Sequence, residues 1–257
     1  MFRSPDISSC VLCGSSDNLT GEHKIKASAL REEFGGARLT IGNHSTDSPL
    51  KYAQSARSKN LHFRTRLCKD CNTTRTQSAD RAFERLHRRA RELYQQQRSF
   101  EDVLNEPWMS QGSDDYLNVF RYFAKLLACQ LADMGAPVQW ELCNFAIGRS
   151  PFNPINLALR QDHTFASASQ NFPDLQYAAH GGVVVMGNKW TRWPTAFYST
   201  LTIGPLQYCF HARLNFLGQL SLLGEFPDFF HWCVKQIRAA AANPPQNNEL
   251  LQLGLEE

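Results

Sequence analysis

Four cysteines fall in two C-x2-C pairs, Cys10 with Cys13 in CVLC and Cys68 with Cys71 in LCKDC. Two such pairs supply the four thiolates of a closed tetrahedral zinc site, and the two-residue spacer lets both sulfurs of a knuckle face one ion. A zinc ion with all four positions taken cannot bind substrate, so its role is to staple a small unit that has too little core of its own. The gap between the pairs exceeds that of a compact zinc ribbon, so an insertion over residues 27–58 must loop out. Two further features flank the knuckles. Glu22 and His23 stand side by side in GEHKI after the first, and Asn72 follows the second directly.

In this combination the chain resembles the HNH endonucleases (His-Me finger, ββα-metal), in the subgroup that carries a four-cysteine zinc site. The resemblance covers residues 8–95 and does not extend beyond them. In that family an acidic residue followed by His sits on the first strand, and a His or Asn opens the helix after the second knuckle. Carried over, these are Glu22, His23 and Asn72; Asn60 falls near the family's middle Asn, which braces the loop bearing the catalytic His. The resemblance implies a metal-dependent endonuclease that hydrolyses phosphodiester bonds, in DNA more than in RNA, in a setting of restriction or phage defence.

Such hydrolysis needs a deprotonated water in line with the leaving oxygen and a cation to absorb the developing charge. Imidazole titrates near neutral pH, which suits His23 to take the water proton. Glu22 and Asn72 offer the oxygen donors that Mg²⁺ or Mn²⁺ prefers, with room left for waters and a phosphate. On a regular strand Glu22 and His23 point to opposite faces, so this assignment requires a bend or bulge between them. Taken alone, Glu22-His23 reads as a surface acid beside a capping or packing His. The Asn72 position and the basic helix after it favour the catalytic reading. Asp80 reads as an N-terminal helix acid or as support for the metal.

Length and composition fit a globular chain of one large domain or two ordinary ones. No stretch reaches the apolar length of a membrane span, and the start MFRSPDISSC lacks a signal-peptide apolar run, so a soluble cytoplasmic protein is expected. In a reducing compartment the paired cysteines are metal ligands; Cys129, Cys143, Cys209 and Cys233 read as small buried hydrophobes. Charge is unevenly divided. Residues 1–100 carry 18 Lys and Arg against 10 Asp and Glu, and the remainder 9 against 14. The basic half holds the zinc and His motifs, and a positive surface there attracts a polyanion.

The elements that position these residues follow from periodicity. Residues 19–25 read as a short strand presenting His23, residues 27–34 as two helical turns, and residues 38–41 as a strand. The run NHSTDSP, with His44 and Pro49, reads as a loop. Residues 60–67 alternate Leu61, Phe63, Thr65 and Leu67 with His62, Arg64 and Arg66, giving a strand with a basic face. Residues 78–97 form a helix capped by Ser78, with an apolar face of Ala79, Ala82, Phe83, Leu86, Ala90 and Leu93. Its arginines crowd the other face, and His87 is expected at the surface. Arg64, Arg66, Arg75, Arg81, Arg85 and Arg88 are the candidate phosphate contacts, against the alternative of a solvated charged face.

The fold class expected is α+β: a zinc-stapled ββα-metal nuclease domain over residues 1–100, a linker over 101–114, and an α+β domain over 115–242 with an antiparallel sheet, most simply a meander. Residues 243–257 read as a loose tail. The second domain opens with an apolar helix over 116–134, carries β-like runs over 175–179, 182–186, 196–203 and 207–216, and ends in a helix over 226–242. His163, His180, His211 and His231 show no metal spacing. The run Lys189 to Trp193 interleaves aromatic and basic residues, either to stack bases or to pack at a sheet edge. Two other readings stand beside the nuclease: a non-catalytic zinc module that binds nucleic acid, and a nuclease controlled by a ligand or protein sensed by the second domain. Cutting a duplex takes two active sites or two successive nicks, so a homodimer is an option that no residue specifies.

Overall fold

The basic strand and the strand bearing His23 form an antiparallel pair, and a long helix follows the second of them. In the computed structural model these are β2 (Leu19–His23), β5 (His62–Cys68) and α2 (Gln77–Gln95), with a π-helical turn, Asp70–Arg75, leading into α2. The structure describes residues 2–4, 6–35, 39–43, 51–53, 55, 58–171 and 176–242. Arg38, the loop with His44 and Pro49, and the expected tail over 243–257 lie outside the described residues.

On β5 the alternation holds: Leu61, Phe63, Thr65 and Leu67 are buried, and Arg64 and Arg66 are exposed. Helix α2 buries the expected apolar face, plus two polar residues, Asp80 and His87. Ser78 is not its cap. Thr76 occupies that position, and Ser78 instead donates to Asn118 Oδ1. His87 is a correction to the surface expectation: it is 1% exposed, 2.8 Å from the Tyr208 hydroxyl.

The large sheet recruits strands from both ends of the chain. Its members are β3 (Leu39–Asn43), β4 (Lys51–Ala53), β7 (Ile155–Gln161), β8 (Tyr177–His180), β9 (Val184–Gly187), β10 (Pro194–Ile203) and β11 (Leu206–Arg213). The order is β4-β3-β8-β10-β11-β7, and β9 pairs with β10 beyond the end of β8. It is therefore no meander. One join, β3 with β8, is parallel, and it brings part of the 27–58 insertion into the sheet. Strand β10, paired on both edges, is buried along nearly its whole length. The tight turn to β11 uses Gly204 at φ +57°, which L side chains rarely adopt.

Helix α3 (Asp114–Asp133) fills the space between α2 and the sheet, capped by Ser113, whose hydroxyl accepts from the Tyr116 N–H at 3.1 Å. Rings from all three layers meet. Phe83 of α2 stacks on Tyr122 at 4.0 Å between centroids, Phe123 lies 5.1 Å from Phe210, and Phe83 lies 5.4 Å from Tyr208. Residues 100–109 make two 3₁₀ segments that bury Phe100, Val103 and Met109. Around this core lie α1 (Ala27–Phe34), α4 (Trp140–Ala146), α5 (His163–Asn171), α6 (Phe216–Glu225), α7 (Pro227–Ala242) and a two-stranded ladder of β1 (Phe2–Arg3) with β6 (Val138–Gln139). The protein is thus α+β with mainly antiparallel sheets. Among the described residues no helix is long and apolar enough to cross a membrane.

Candidate functional site

The first knuckle is shaped by its neighbours. The Gly14 N–H closes it on the Cys10 carbonyl at 2.8 Å, and the Arg3 guanidinium donates to the same carbonyl at 2.9 Å. Gly14 sits at φ +85°, and a Cβ there would stand 2.7 Å from the Arg3 guanidinium, so the position calls for glycine. The second knuckle is set by β5, whose last residue, Cys68, is in register with Leu19.

The four ligand sulfurs of Cys10, Cys13, Cys68 and Cys71 all lie within 4.8 Å of one another, with Cys13 and Cys68 3.6 Å apart. A tetrahedral zinc with bonds of about 2.3 Å separates its sulfurs by about 3.8 Å, so a zinc ion fits the cluster. Cys10, Cys68 and Cys71 are buried and Cys13 half-buried. Crowding splits their proton affinities. A hydrogen bond from Cys71 pulls the Cys10 thiol down to about 4, while Cys71 itself is pushed up by that bond and by burial. Such a set exchanges protons for a cation. The other four cysteines are each buried singly, and burial pushes their thiols up.

Strand β2 pairs regularly with β5 as far as Gly21, opposite Arg66, and the next matched pair is His23 with His62. The register breaks opposite Glu22, where a bend was required. The two residues beside the break go separate ways. The imidazoles of His23 and His62 lie 3.9 Å apart between centroids, both half-buried. Burial, and then the His62 ring, lower the His23 pKa to about 4, so its imidazole is neutral at neutral pH. Glu22 turns into the interior. Its Oε1 lies 2.9 Å from the Lys125 Nζ of α3, and burial raises its pKa despite that partner.

Lys125 is 1% exposed and also lies 2.6 Å from Asp80 Oδ1; Asp80 Oδ2 in turn accepts from Lys26 at 2.8 Å. Asp80 is thus part of a buried ionic chain, and its place in the first turn of α2 does not by itself account for it. Asn72, in the π-helical turn, donates from Nδ2 to the Thr20 hydroxyl at 2.9 Å and to the Gly21 carbonyl at 3.1 Å. It therefore ties the start of the helical segment to the strand just before His23. Asn60 is exposed in the 3₁₀ turn Lys59–Leu61.

Several candidate phosphate contacts are engaged by acids. Arg75 pairs with Asp70 at 2.6 Å, Arg85 with Asp115 at 2.8 Å and Arg88 with Glu32 at 2.7 Å, while Arg64 reaches the Asp133 carbonyl. Arg66 and Arg81 are exposed and form no ion pair among the described residues. Of the aromatic-basic run, Trp193 packs on Phe230 at 5.4 Å, whereas Trp190 is 82% exposed with the Lys189 ammonium 5.7 Å from its ring.

Sequence reasoning missed Lys125, Lys26 and His62 as members of this neighbourhood. A lone lysine inside the apolar run YFAKLLACQL was the available signal for Lys125, because a buried lysine needs an anionic partner. His62 carried none, since its partner depends on strand register. No protein-family model, no curated protein and no solved structure matches this chain.

Proposed function

We propose that this chain is an endonuclease that hydrolyses phosphodiester bonds, in DNA by its resemblance to HNH enzymes, with His23 as general base. The observation that carries the reading is the half-buried His23 imidazole, set against His62 at a break in a strand that Asn72 ties to the start of the helical segment after the second knuckle. In the step envisaged, water attacks phosphorus, its proton passes to a His23 ring nitrogen, and the bond from phosphorus to the leaving oxygen breaks as that oxygen takes a proton from solvent. Exposed Arg66, opposite Gly21 in the last matched pair before the break, offers a charge for the scissile strand's phosphates.

The expected catalytic Mg²⁺ or Mn²⁺ meets an obstacle. The Asn72 Oδ1 accepts no hydrogen bond from the described residues, but Glu22 is held by Lys125, so the two do not form a divalent-ion site in this arrangement. That observation favours a second reading, a zinc-stapled module that binds nucleic acid without cutting it.

Cleavage of supercoiled plasmid, single-stranded DNA and RNA with Mg²⁺, Mn²⁺ or EDTA separates the two. The comparison is wild type against His23→Ala, both shown folded with one zinc bound. Cutting that is lost in the variant supports the nuclease; binding without cutting in both supports the module.

A further inference from the structure

Helix α3 reaches both strands at the register break. Near its middle, the Lys125 ammonium lies 2.9 Å from Glu22 on β2. At its last residue, Asp133 Oδ1 accepts the Arg64 N–H at 2.5 Å and the Thr65 N–H at 3.3 Å, both on β5 within the stretch that lacks regular partners. Residues 125 and 133 are eight apart, about two turns, so they project from one side of the helix. One helix face therefore holds both edges of the break from which the His23 and His62 rings emerge.

The charges explain why Glu22 stays inside. Two carboxylates, Glu22 and Asp80, alternate with two ammoniums, Lys125 and Lys26. Turning Glu22 outward to hold a dication would leave Lys125, 1% exposed, with Asp80 as its one remaining anion, and would bring a second cation close to an ammonium. Glu22 is better suited to anchor the strand than to bind a metal.

We propose that Lys125 is a positioning residue: by holding Glu22 inward, and together with Asp133 on β5, it fixes the strand break that sets His23 against His62. Its effect on turnover rests on the reading of His23 as the base; its effect on ring geometry does not.

The test uses full-length, zinc-loaded protein with ¹⁵N- and ¹³C-labelled histidine, comparing wild type, Glu22→Gln, Lys125→Met and Lys125→Arg. In wild type a nuclear Overhauser effect links the His23 and His62 rings. The expected result is its loss in Lys125→Met, its weakening in Glu22→Gln and its partial return in Lys125→Arg, with the His180 and His211 signals unmoved. In the cleavage assay kcat falls at least tenfold in Lys125→Met with an unchanged half-saturating Mn²⁺ concentration. Should Lys125→Met fail to fold, Glu22→Gln and Lys125→Arg decide alone. An intact Overhauser effect in the folded variants overturns the proposal. So does a tenfold higher half-saturating Mn²⁺ in Glu22→Gln at unchanged kcat, which would make Glu22 a metal ligand. A wild type that cuts nothing defeats the nuclease reading while the ring contact still decides the positioning role.

Discussion

The cysteine cluster and the neighbourhood of Glu22 share the same two strands but are assembled by different means. At the cysteines each knuckle is made within four residues, and the bridge of Cys10 with Arg66 beside the pairing of Leu19 with Cys68 brings the two together. At Glu22 the adjacent His23 is not the residue that holds it in place. That is Lys125, more than a hundred positions away. The lesson is that short-range spacing specifies a soft-metal site well, because thiolates need only to converge, whereas a carboxylate takes whichever cation the folded core presents.

The sharpest way to break this contrast is to deny the cysteine cluster a metal ion. Structural zinc in small modules is worth about 10–16 kcal/mol of binding free energy, so chelation or Cys71→Ser should abolish the cooperative thermal transition. Zinc content measured alongside calorimetry checks it; an unchanged transition in zinc-free protein would show that the cluster is dispensable.

The ionic chain should respond next. Lys125→Met leaves two buried carboxylates short of a partner and should cost about 3–5 kcal/mol in urea unfolding. Combining it with Glu22→Gln should cost less than the sum of the two single variants, and strict additivity would deny the coupling. His23→Ala draws the opposite profile. Cleavage should fall by about 10²–10⁴-fold, while stability changes by less than about 1 kcal/mol.

A pH series then probes the buried His87, with His23, depressed to about 4 as well, adding to the same acid limb. Burial depresses the His87 pKa from 6.5 to about 4. The unfolded chain therefore takes up this proton first. Its contribution is fully present above pH 6.5 and is lost as pH falls toward 4, by up to about 1.4 kcal/mol per pH unit. His87→Asn should flatten that limb of the stability curve, and an unaltered slope would assign the loss to other groups. The smallest effects belong to exposed Arg66 and Arg81. Each replaced by Ala should lower the salt slope of nucleic-acid binding by about one and leave stability within about 0.5 kcal/mol.

Much of the local structure was legible in the sequence. The alternation of Leu61, Phe63, Thr65 and Leu67 placed β5, and the apolar face from Ala79 to Leu93 placed α2. Helix α6 was not legible. The strand expected over 207–216 takes in the helix's first residue and 217–225 carry no expected element, because Asn215, which caps the helix by accepting the Gly218 N–H at 2.7 Å, sits amid an apolar run. Strand β7 was also missed, since its exposed and buried positions do not alternate cleanly.

By itself the sequence determined the zinc-type cysteine cluster, the strand and helix that flank it, and the adjacency of an acid and an imidazole. These depend on periods of two to four residues, which short-range sterics and hydrogen bonding enforce. Only the tertiary structure decided that β3 joins the sheet beside β8, that His62 faces His23, that His87 lies under Tyr208, and that Glu22 points at Lys125. The physical reason is that a buried charge or ring is placed by what packs over it. That covering element, α3, lies far along the chain and leaves no trace in the spacing of the residues it holds.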